Sequence, residues 1–192
     1  MNTYFDNYDH RDNDNYKPEE YRKRVLWALF GQVFHWIPRP CYEARNRLLR
    51  LFGAQIGKQV RIYPDTVVMY PWNLSLGDYT TIGPKVDIYN LGKVTLGNHV
   101  LVSKGAHFCA GTHNYHHLNL PLLKPEIVVR DEVWFAADVF IGPNVTIGKG
   151  AIIGARAVVL KDVPEAAIVG GNPARVLKLR QPSLPSIGLR NR

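Results

Sequence analysis

Four of the chain's seven histidines, His107, His113, His116 and His117, fall within the stretch 107-HFCAGTHNYHHLNLPLLKPE-126. An imidazole that titrates near neutral pH can take a proton from a weakly acidic hydroxyl, so such a segment is a candidate for general-base catalysis. Cys109 stands beside them, but the sequence offers it no cationic partner to stabilise a thiolate, and a small packed side chain is the better reading. The residue types alone leave open which histidine acts, because histidines are ordinary in surface loops.

The elements on either side are periodic. Val129, Phe135, Ile141, Ile147, Ile153 and Val159 recur every six residues, and Val133, Val139, Val145, Ala151, Ala157 and Val163 repeat the step two positions earlier. Leu96, Val102 and Phe108 keep the same step before the histidine segment, and Ile56, Ile62, Val68 and Leu74 keep it earlier still. Two-residue shifts separate the runs beginning at Leu76 and Leu96. Six is neither a helical nor an alternating period. It fits a short strand followed by a tight corner, with three such faces closing one coil of a β-helix. Glycines following Ile56, Leu76, Ile82 and Leu96 relieve the corners. Phe108 to Val129 spans 21 residues where six would continue the pattern, so about 15 residues project as a loop, residues 109–126. The sequence thus predicts an all-β, left-handed parallel β-helix over 54–175 with one projecting loop.

Other segments are appendages. Residues 1–17, rich in Asn, Asp and Tyr, read as a mobile polar arm. Residues 18–53 read as helical. Val25, Leu26, Leu29, Phe30, Val33 and Phe34 recur at helical spacing, and Pro38 and Pro40 end the first helix. Leu48, Leu49 and Phe52 mark a second helix that stops at Gly53. Residues 176–192 form a basic tail.

At 192 residues the chain suffices for one domain with a substantial core. Its two cysteines, Cys41 and Cys109, form no disulfide framework, which fits a reducing cytoplasmic setting. The N-terminus is too polar for a signal peptide, and no apolar run approaches the ~20 residues that span a bilayer. The net charge of +8 is unevenly placed: residues 21–61 hold nine bases and one acid, whereas 62–174 hold eight bases and nine acids. A near-neutral repeat domain lacks the basic stripe with interleaved aromatics expected of a nucleic-acid binder. Arg22, Lys23, Arg24 and Arg39 flank a helix bearing Leu26, Trp27, Leu29, Phe30, Phe34 and Trp36. That pattern suits either packing on the β-helix or peripheral contact with the cytoplasmic face of an inner membrane.

With the repeats, the loop segment FCAGTHNY, the segment DEVWFAADVFIGPNVTIGKGAIIGARAVVLKDVP and the ending GGNPARV in view, the chain resembles the hexapeptide-repeat acyltransferases. The resemblance is to the sugar O-acetyltransferase branch, and YPWNLSLGDY and YNLG are similar to sequences of acetyltransferases of colanic acid and other exopolysaccharide pathways. It implies an acetyl-CoA-dependent transfer to a sugar hydroxyl in surface-polysaccharide assembly, on a saccharide acceptor that could be lipid-linked. It also implies a homotrimer with the cofactor in a groove between subunits, and no metal. It assigns the general base to His113, the cofactor groove to Trp134, Ala137, Ala155, Lys161 and Arg175, and acceptor contacts to Tyr89 and Asn90; Asp87 and His116 are further acceptor candidates. Two other activities stay open: N-acetylation of a nucleotide-linked amino sugar within the family, and, on the same fold, a zinc carbonic anhydrase chemistry using His99, His107 and His113.

Overall fold

The computed structural model describes residues 18–181. The expected arm, 1–17, and the end of the basic tail lie outside the described residues.

The repeat folds as a parallel β-helix of three faces. Gln55–Ile56, Leu74–Leu76, Val94–Leu96, Ile127–Val129 and Val145–Ile147 stack on the first face. Arg61–Ile62, Thr81–Ile82, Leu101–Val102, Trp134–Phe135, Ile152–Ile153 and Ala167–Gly170 form the second, and Val67–Val68, Asp87–Tyr89, His107–Cys109, Phe140–Ile141 and Val158–Val159 the third. The six-residue series point inward: Val129, Phe135, Ile141, Ile147, Ile153 and Val159 are buried, as are their partners two residues earlier. Backbone N–H groups of each coil donate to carbonyls of the next, for example Thr81 to Val100 at 2.9 Å. The corners need left-handed backbone, and non-glycine residues supply much of it: Tyr79, His99, Glu132 and Arg156 have φ between 56° and 63°. Such residues cost conformational energy individually. The repeated ladder bonds on both sides hold them there.

Direction has a consequence at the start of the prism. The first coil's carbonyls point away from the ladder, toward an open edge that would be a site of association if left bare. Two helices, α1 (Pro18–Trp36) and α2 (Tyr42–Leu51), cover that edge with side-chain donors. Arg50 donates to the Ile56 and Gly57 carbonyls, Asn46 to Val60, Arg45 to Ile62, and the Trp27 indole to Val68, all within 3.0 Å. A His35 ring nitrogen bonds the Pro64 carbonyl. Arg45 is fully buried and also donates to the carbonyls of Ile37, Pro38 and Arg39. Burial pushes its pKa down from the usual guanidinium range.

Two features were not resolved by the sequence. Of the six apolar residues that recur at helical spacing in α1, only Phe34 is buried; Val25, Leu26, Leu29, Phe30 and Val33 are exposed. The helix is apolar on both sides, and periodicity cannot choose between two apolar faces. The tail, in turn, begins as a strand: Arg175–Leu179 pairs antiparallel with Ala167–Gly170 and closes the second sheet. Among the described residues no helix is long and apolar enough to cross a membrane.

Candidate active site

The departures from period six all fall at one corner. Successive inward residues of the first, second and third faces are six apart, as in Leu76, Ile82 and Ile88, but the return from third face to first varies in length. Gln55 is in register with Ser75 and Ser75 with Thr95, steps of 20 residues; Thr95 is in register with Val128, 33 residues on; Val128 is in register with Thr146, 18 residues on. The third coil therefore carries 15 residues more than the fourth, as the sequence predicts.

The stacked short insertions build a foundation for the long one. Asn90 is fully buried, its Oδ1 accepting the Tyr70 N–H at 2.9 Å and its Nδ2 donating to the Tyr70 carbonyl at 2.6 Å. Asn73 donates to the carbonyls of Asn90 and Leu91. Gly92 admits the returning chain: a Cβ there would lie 2.1 Å from the Pro125 carbonyl oxygen. A Cβ on Gly111 would meet Leu91 and the Tyr89 ring at 2.8 and 3.1 Å, so Tyr89 lies directly beneath the start of the loop. The expectation that Asn90 contacts an acceptor is corrected. Its amide is spent on the backbone of the preceding coil and has no exposed atom to offer.

The loop itself is a hairpin, with Thr112–His113 antiparallel to Leu122–Leu123. His113 is exposed near its base, and its Nδ1 is within hydrogen-bond distance of the Leu120 carbonyl. A carbonyl can only accept, so Nδ1 carries the proton and Nε2 keeps its lone pair. Leu120 holds that carbonyl from a left-handed conformation, φ 39°. Beyond the hairpin's inner end, Asn114 organises the tip: its carbonyl accepts the His117 N–H and its Oδ1 the His116 N–H. The exposed His116 ring sits 4.3 Å from that of Tyr115.

Below the hairpin, on the outer side of the third face, Asp87 and His107 are paired across coils, Nδ1 to Oδ2 4.0 Å. The His107 ring also leans on Phe140, and its Nε2 is buried without a partner. Sequence reasoning named Asp87 but did not couple it to His107. The 20-residue coil step was the signal that could have joined them.

The residues expected to hold cofactor divide between places. Trp134 projects from the second face, its indole donating to Ser103 Oγ at 3.2 Å. Ala137 and Ala155 occupy equivalent positions of the corner between second and third faces, tied by the bond from Arg156 N–H to the Ala137 carbonyl. Lys161 is exposed at the opposite edge of the third face, and Arg175 is exposed at the start of the last strand. His113 shares the Lys161 edge. One chain therefore places Trp134, Ala137 and Ala155 at one edge of the third face and the histidine hairpin at the other.

The three histidines considered for zinc do not converge within the chain. His99 stacks on Tyr79 at the corner between first and second faces, His107 pairs with Asp87, and His113 stands on the hairpin. Among the described residues no group of three His, Cys, Asp or Glu side chains could hold a metal ion.

Comparison with known proteins agrees with this fold. The family model for the bacterial transferase hexapeptide (six repeats) matches residues 126–161, the regular coils. WcaF of Escherichia coli K12, named for acetyl transfer in colanic acid biosynthesis, is 42% identical over 157 residues, 82% of this chain and 86% of its own. The galactoside O-acetyltransferase of the same organism is 29% identical over 71% of this chain and 68% of its own. The crystal structure of the Vibrio cholerae hexapeptide-repeat acetyltransferase VCA0836 with acetyl coenzyme A superposes with a TM-score of 0.77 at 26% identity, covering 88% of this chain and 93% of that one.

Proposed function

The chain belongs to the hexapeptide-repeat acetyltransferases, and from that premise we propose that it moves the acetyl group of acetyl-CoA to a hydroxyl of a saccharide in surface-polysaccharide assembly. The observation that carries this reading is the contact between His113 Nδ1 and the Leu120 carbonyl. With Nδ1 donating to the Leu120 carbonyl, Nε2 is the ring atom left to accept a proton, and it belongs to the residue that the family resemblance assigns as base. His113 Nε2 takes the acceptor's hydroxyl proton as that oxygen attacks the thioester carbonyl. The new C–O bond forms, the C–S bond breaks, and the same imidazole returns the proton to the departing CoA sulfur. Nothing is oxidised, and no metal is required.

Trp134, Ala137 and Ala155 form the proposed edge of a CoA groove, with the indole held by Ser103 and the alanines leaving room for an extended chain. Lys161 and Arg175 supply positive charge for its phosphates. Asp87, Tyr89 and His116 surround the approach to His113 and are the proposed acceptor contacts, Asp87 as a carboxylate suited to sugar hydroxyls. Because base and groove lie on opposite edges of the third face, one prism cannot close a site around both. A neighbour's hairpin laid against this edge would, and a ring of three prisms satisfies every edge once. We infer a homotrimer with three inter-subunit sites, working in the cytoplasm where acetyl-CoA is made.

The test is acetyl-CoA turnover across free sugars, nucleotide sugars and lipid-linked oligosaccharides, run beside chain mixing. Trimers of His113→Ala chains and trimers of Trp134→Ala chains should each be nearly inactive, and exchange between them should restore part of the activity by building intact sites. No acetyl transfer to any saccharide would reject the reaction; transfer without recovery on mixing would reject the shared site.

A further inference from the structure

We propose that α1 docks this protein on an anionic phospholipid surface. Val25, Leu29, Val33 and Trp36 follow one line along the helix, with Leu26 and Phe30 beside them, and all six are exposed. Of the six, only Phe30 has a ring contact with the rest of the described residues, on Phe52 at 6.2 Å. The helix is held mainly through other residues: Trp27 packs edge-on to Phe52 and donates to the Val68 carbonyl, Phe34 is buried, and His35 bonds Pro64. Most of the second apolar face is therefore surplus to folding. Trp36 and Leu51, at 79% and 80% exposure, mark the extremes of a surface that a protein bathed only in water has little reason to keep.

Charge identifies the occupant. Residues 18–61, which build this end of the molecule, hold nine bases against three acids. Arg45 is consumed inside, but Arg22, Lys23, Arg39 and Arg47 are exposed. Lys23 edges the shallow hollow between Leu26, Phe30, Leu51 and Trp72. Apolar and aromatic side chains rimmed by cations match the boundary between acyl chains and anionic headgroups. A second copy of this surface matches poorly, since it would bring two strongly cationic patches together.

Position adds to the argument. The helices cap the end of the prism, so three prisms packed side by side, as in the trimer inferred above, would present their helices at one end and bind multivalently. The helix also touches the catalytic corner: Glu20 pairs with Lys124 at the foot of the hairpin, 3.7 Å. Docking would thus hold the His113 loop near the membrane surface. The proposal concerns where the protein sits, and it stands whether or not the acceptor is a saccharide.

Co-sedimentation of the full chain with vesicles tests it. Binding is expected to vesicles containing phosphatidylglycerol, weakly or not at all to phosphatidylcholine alone, and to fall as salt is raised. Leu29→Glu with Trp36→Glu should lower the bound fraction about tenfold or more, with helix content, melting temperature and size in light scattering unchanged. Acetyl transfer to a water-soluble acceptor by the same preparations should also be unchanged, which separates loss of docking from loss of the enzyme. Absence of binding to phosphatidylglycerol vesicles, equal binding by the variant, or binding indifferent to lipid charge overturns the proposal. A variant that changes oligomeric size overturns it in favour of a second copy, and binding lost on removing residues 1–17 alone overturns it in favour of the arm.

Discussion

Residues 127–163 and the corner that carries the histidine hairpin are made from the same kind of coil, yet they are stabilised differently. In the regular coils each face hands over to the next after six residues, and the interior is an unbroken column of Ile, Val, Phe and Ala. At the inserted corner the column gives way to polar backbone clamps, Asn90 on Tyr70 and Asn73 on Asn90 and Leu91. Burial of apolar area holds the first region, and satisfied hydrogen bonds hold the second. A site can be added to such a fold at a single corner because the ladder above and below it continues unaltered.

The contrast should appear most sharply in a pair of substitutions. His113→Ala should lower kcat by roughly 10²- to 10⁴-fold while melting temperature and CoA affinity stay near wild type, because the proton moves only in the transition state. Ile153→Ala, in a regular coil, should do the reverse. Removing a fully buried aliphatic side chain should cost about 2–5 kcal/mol in unfolding free energy. The folded fraction should keep its turnover. Near-normal acetyl transfer by folded His113→Ala would return the hairpin to a structural role. A kcat defect in Ile153→Ala comparable with that of His113→Ala would show that the two regions are not separable.

Asn90→Leu comes next in size. It takes the Asn90 acceptor away from the Tyr70 N–H and one of two donors from the Tyr70 carbonyl, which keeps the Asn73 N–H; losing the buried amide clamp should cost about 1–3 kcal/mol. Because this clamp sits under the hairpin, stability and kcat should fall together, unlike in either variant above; thermal melts and steady-state rates measured on one preparation check it. The residue also marks the limit of sequence reading. Period six was legible because inward positions must be apolar on every coil, and the loop was legible as a failure of that rule. Asn90 was not. A polar residue near a motif reads equally as a ligand contact or as a buried clamp until its partner is known, and Tyr70 lies one whole coil away. The coupling of Asp87 to His107 and the capping by Arg45 were hidden for the same reason, since each depends on which residues the coil length superposes. The outward face of α1 stayed open between packing and surface contact because helical spacing fixes a line of residues but not the side on which the prism lies.

The mildest variant tests how His113 is held. Leu120 lies at φ 39°, where an L side chain is disfavoured, and its carbonyl is the acceptor for His113 Nδ1. Leu120→Gly removes the steric cost, on the order of 1–2 kcal/mol, but adds freedom to the unfolded chain and to the hairpin, worth about 0.5–1 kcal/mol in the opposite sense. Net stability should therefore change by less than about 1 kcal/mol. The carbonyl survives the substitution, so the hydrogen bond can still form, only from a backbone that wanders more. We expect kcat to fall by a few-fold, less than about tenfold, with the KM for acetyl-CoA unchanged. A fall as deep as that of His113→Ala would mean that rigid placement by Leu120 matters as much as the base itself. No fall at all would mean that the tautomer is set by the acceptor on binding, and the carbonyl would lose its positioning role.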